Sequence, residues 1–91
     1  MCAAVIGGME RLRRQYVEAA RQRGVSLQVF NGKENNVARR MSGCDLALIF
    51  TNKVSHKARD EAIRFCKTND IPYRLVHGCG ISTLTKCLDE S

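Results

Sequence analysis

Cys2-Ala3-Ala4-Val5-Ile6-Gly7-Gly8 and Asp45-Leu46-Ala47-Leu48-Ile49-Phe50 decide the fold. Each is a short apolar run that ends abruptly, the first in two glycines and the second in the polar Thr51-Asn52. Such length and composition suit a strand buried on both faces, as in a parallel sheet, better than a helix. Two further segments are more mixed. Val25, Leu27 and Val29 alternate with Ser26 and Gln28, and Tyr73 to His77 carries Arg74 within it, with Tyr73, Leu75 and His77 sharing one face. Polar side chains inside a strand place it at a sheet edge.

Helical patterns lie between these strands. Glu10 to Arg23 has Leu12, Tyr16, Ala19 and Ala20 at helical spacing, and Gly24 follows as a C-cap glycine. A short helix is expected around Asn36 to Ser42. Ser55 stands as an N-cap before Ala58, Ala62, Phe65 and Cys66, with Asp60 and Arg64 spaced for an ion pair. Ser82 or Thr83 is expected to cap a last helix buried through Leu84, Cys87 and Leu88.

The resulting βαβαβαβα order predicts an α/β fold, a three-layer αβα sandwich around a four-stranded parallel sheet. With the two apolar strands central, the strand order is 2-1-3-4, flavodoxin-like or Rossmann-like in the broad sense. The 91 residues suffice for one domain, 1–91. No apolar run approaches the roughly 20 residues of a membrane helix. The start of the chain lacks the pattern of an export signal, so a cytoplasmic location is expected. Five cysteines, an odd number without a C-x-x-C pair, argue for reduced thiols rather than a disulfide framework. Cys44 and Cys66 fall at packing positions.

Ligands of open parallel sheets sit beyond the strands' carboxyl ends, where strand order reverses. Here that point lies between the first and third strands. It is flanked by Gly7-Gly8-Met9-Glu10 and by Thr51-Asn52-Lys53-Val54-Ser55-His56, with His77 to Ser82 nearby. The leading expectation is a binding module without a catalytic role, holding a small anionic ligand through Gly7, Gly8, Asn52, Ser55, His56 and Ser82. No phosphate-loop motif is present, and Gly7-Gly8 alone reads more readily as a tight strand-to-helix turn needing positive φ. His56, His77 and Cys79 form a second candidate set, a mixed N/S site for a metal or a haem iron. The net charge of +6 and the arginines Arg11, Arg13, Arg14, Arg21 and Arg23 raise a third candidate, nucleic-acid binding. An acid–base role for His56 finds no paired carboxylate or nucleophile to work with. A domain this short buries only about 60% of its unfolded surface, which together with open strand edges favours a homodimer.

Val5-Ile6-Gly7-Gly8, Asp45 to Ile49, Val54-Ser55-His56-Lys57-Ala58 and Phe65-Cys66-Lys67 before Ile71-Pro72 together resemble domain of unknown function 2325, a family of small bacterial proteins. The resemblance covers nearly the whole chain. It implies a bacterial source, a Rossmann-like fold and no settled activity. The chain departs from the family pattern at Gly78-Cys79-Gly80, where a serine-rich turn is more usual.

Overall fold

A computed structural model describes residues 1–30, 41, 43–78 and 80–90. Its sheet has four parallel strands in the order 2-1-3-4. They are β1 (Cys2–Gly7), β2 (Ser26–Phe30), β3 (Leu46–Phe50) and β4 (Tyr73–Val76). The helices are α1 (Arg13–Arg21), α2 (His56–Thr68) and α3 (Ile81–Asp89). Short 3-10 turns at Glu10–Leu12 and Thr51–Lys53 follow β1 and β3.

The two apolar runs lie side by side at the centre, with Ala3 opposite Leu46 and Gly7 opposite Phe50. Their side chains feed two separate cores. Ala3, Val5, Leu46, Leu48 and Phe50 pack against Tyr16 and Ala20 of α1 and Leu84 and Leu88 of α3. Ala4, Ile6, Ala47 and Ile49 pack on the other face against Ala62 and Cys66 of α2. Residues 3–6 and 46–50 are therefore buried throughout, which is why neither run alternates.

Local signals explain the boundaries. Gly24 adopts φ +73 and ends α1, with Val25 N–H donating back to the Ala20 carbonyl at 2.9 Å. Ser55 caps α2, its Oγ accepting from Ala58 N–H at 3.2 Å. Asn69 follows, and Ile71 N–H donates to the Cys66 carbonyl as the chain turns toward Pro72.

Several expectations are corrected. The first helical segment opens as a 3-10 turn, so α1 proper starts at Arg13 rather than Glu10. β2 ends at Phe30, as the Asn31-Gly32 pair that follows it in sequence implies, and Phe30 is fully buried on the α2 side. In β4 the inward residues are Val76 toward α1 and α3 and Tyr73 toward α2, whereas Leu75 is 54% exposed. Gly80, not Ser82 or Thr83, is the N-cap of α3. Thr83 instead lies over Gly78, where an added Cβ would sit 3.2 Å from its Oγ1. Asp60 meets Arg59 at 3.4 Å rather than Arg64. The helix expected around 36–42 falls outside the described residues except for Met41, which is fully buried in the α2-side core.

Candidate functional site

β1 and β3 end level with one another, and their chains then part. The β1 chain crosses to the α1 face and the β3 chain to the α2 face. This divergence is the topological switch that the strand order demands at the carboxyl end of the sheet.

Gly7 and Gly8 form the turn after β1, both at positive φ, +90 and +87. Gly8 is also closely packed. A Cβ there would lie 2.9 Å from Phe50 Cδ2 and 3.2 Å from Tyr16 Oη. The Tyr16 hydroxyl accepts from Met9 N–H at 3.2 Å, and the Tyr16 and Phe50 rings stand 5.7 Å apart. Backbone conformation and ring packing together thus account for the glycine at position 8.

A shallow pocket of about 220 Å³, including the solvent at its mouth, is lined by Gly7, Gly8, Met9, Glu10, Arg13 and Val29. It lies on the β2 side of the β1 terminus, whereas the expected cleft was toward β3. Arg13 reaches across its wall and donates to the Val29 carbonyl at 2.7 Å. The pocket therefore carries one cation and one carboxylate, Glu10.

On the β3 side, Asn52 lies exposed in the 3-10 turn, and Ser55 and His56 are exposed at the start of α2. Neither Asn52, Ser55 nor His56 lines the pocket. The Ser55 hydroxyl is committed to its cap, while His56 is the first residue of the helix. Ser82 is exposed in the first turn of α3, its carbonyl accepting from Thr85 Oγ1 at 3.0 Å. The structure thus brings Gly7 and Gly8 together in one pocket, and sets the other candidate residues along the same end of the sheet.

His77 is exposed just past β4, and Cys79 lies outside the described residues. Among the described residues, no three His, Cys, Asp or Glu side chains are grouped to hold a metal. Of the arginine-rich segment, Arg13 is held by Val29, Arg21 pairs with Glu18 at 2.8 Å, and Arg23 pairs with Asp89 at 2.8 Å. The Arg21 guanidinium holds the Glu18 carboxyl below its usual range, but the pair is open to solvent and screened. Arg11 and Arg14 are exposed.

Arg13 is the contact whose role the sequence hid. It belongs to an arginine run that reads as a solvated helix face, and only the fold shows it closing the pocket. No described helix is long and apolar enough to cross a membrane.

Comparison with curated proteins and with solved structures brings up no match. A family model described as "Uncharacterized protein conserved in bacteria" matches residues 2–91. With a match over nearly its whole length and a parallel sheet of the expected order, the chain belongs to the DUF2325 family.

Proposed function

We propose that the protein is a binding module that holds a small phosphate-like anion at the carboxyl end of its sheet. The observation that carries this reading is the divergence of the chains leaving the register-matched Gly7 and Phe50 toward opposite faces of the sheet. In parallel sheets that geometry creates the binding crevice. Arg13 supplies a guanidinium at the pocket wall, and the capped start of α2 presents His56 beside the neighbouring strand end. The positive end of a helix favours an anion there. Glu10 opposes a highly charged ligand and favours one of low charge.

Isothermal titration with inorganic phosphate and nucleoside monophosphates tests the reading. Measurable heat is expected, lost in Arg13→Gln and weakened in His56→Ala. Absence of heat with every one of these at millimolar concentration rejects it.

A further inference from the structure

At the opposite end of the sheet, two thiols separated by 42 positions in sequence lie in contact. Cys2 opens β1, Cys44 precedes β3, and their Sγ atoms are 3.4 Å apart. The backbone holds them there: Asp45 N–H donates to the Cys2 carbonyl at 2.7 Å, and Cys2 N–H donates to Asp45 Oδ2 at 2.9 Å. A disulfide needs its sulfurs about 2.0 Å apart, so closure asks for an approach of about 1.4 Å.

We propose that Cys2 and Cys44 are a reversible redox pair, oxidised by a hydroperoxide and reduced by a small dithiol, that staples the two central strands together at their amino ends. Cys2 is half-buried and reachable, whereas Cys44 is 6% exposed. The Cys2 thiolate attacks the peroxide; an S–O bond forms, the O–O bond breaks, and the peroxide leaves as water or alcohol. The Cys44 sulfur then attacks Cys2 Sγ. An S–S bond forms, the S–O bond breaks, and the departing hydroxide takes the Cys44 proton as water.

The surroundings support this order. The Cys44 thiol is pushed up to about 12, first by burial and then by its hydrogen bond to Cys2 and the Cys2 charge. Burial therefore keeps Cys44 as the protonated, resolving partner and leaves the more accessible Cys2 to meet the peroxide first. Gln28 Nε2 lies 3.9 Å from Cys2 Sγ on the β2 side.

The test treats the full-length protein with low multiples of hydrogen peroxide, then digests it with trypsin without reduction. The expected product joins the peptide Met1–Arg11 to Met41–Lys53, and dithiothreitol reverses it. The closed loop should raise the thermal midpoint by about 10 °C or more. Cys2→Ser abolishes both effects, and Cys44→Ser leaves a Cys2 sulfenic acid that dimedone traps. If Cys44→Ser fails to fold, Cys2→Ser with the wild-type peptide map still decides the matter. Wild-type Cys2 that stays reduced, ends as a sulfinic acid, or pairs with another cysteine overturns the proposal.

Discussion

Gly8→Ala tests whether the turn after β1 is built by packing. Two costs apply. An alanine at φ +87 pays the left-handed penalty of about 1–2 kcal/mol. Its methyl would also sit 2.9 Å from the Phe50 ring and 3.2 Å from Tyr16 Oη. Both rings are fully buried, with no exposed side into which they could retreat. Overpacking of that kind costs about 1–3 kcal/mol. The combined loss is about 3 kcal/mol, a large part of the total stability of a small domain. Gly24→Ala is the control. It has φ +73 but nothing within 4 Å of an added Cβ, so only the same backbone cost of about 1–2 kcal/mol applies. Urea denaturation followed by circular dichroism measures both. In thermal melts the Gly8→Ala midpoint should lie below that of Gly24→Ala by at least roughly 4–8 °C, the equivalent of the first kcal/mol of overpacking. Equal losses in the two variants would refute the packing argument. An alanine that left stability intact but removed anion binding would show that position 8 is kept open for a ligand.

Further tests address other parts of the molecule. Ser55→Ala removes the acceptor for Ala58 N–H and should cost about 1 kcal/mol in chemical denaturation, with Ser55→Asp restoring it. Cys44 holds its proton in the folded state up to about 12, against 9.0 ordinarily, so the unfolded chain releases that proton first as pH rises. Its contribution is complete below pH 9 and is lost as pH climbs toward 12. Urea midpoints should fall across that window, with a shallower slope in Cys44→Ala; an unchanged slope contradicts the assignment. The mixed site of His56, His77 and Cys79 predicts metal or haem retained through purification, read by absorbance and elemental analysis. A colourless, metal-free protein unchanged by added haem rejects that site. A homodimer predicts a sedimenting mass twice 10.2 kDa, and a monomer at micromolar concentration contradicts it.

The central strands were legible because burial on both faces leaves no room for polar residues in Ala3 to Ile6 or Leu46 to Phe50. Their adjacency followed from the polar content of the other two strands, and Gly24 and Ser55 announced helix ends through backbone chemistry that depends on local sequence alone. The misreadings have a common cause. Leu75 and Val76 are both apolar, and a pattern of period two does not say which faces a helix; the answer depends on α1 and α3 covering the Val76 side. Thr83 is a good cap by residue type, yet its contact with Gly78 assigns it elsewhere.

The candidate site follows the same division between local and long-range information. The strand order, which the fold bears out, is what points to the carboxyl end of the sheet, because that rule depends only on which way the crossovers run. The candidate site's lateral position depends on side chains from distant segments. Phe50 and Tyr16 occupy the space beneath Gly8, so the ground between β1 and β3 is filled by rings rather than left open. The concave surface is displaced toward β2, where half-buried Val29 lies beside Arg13. An anion in this pocket would meet Arg13 before His56, which makes Arg13→Gln the more damaging of the two substitutions. A larger loss of affinity in His56→Ala would move the ligand back toward the β3 side and separate the pocket from the binding function.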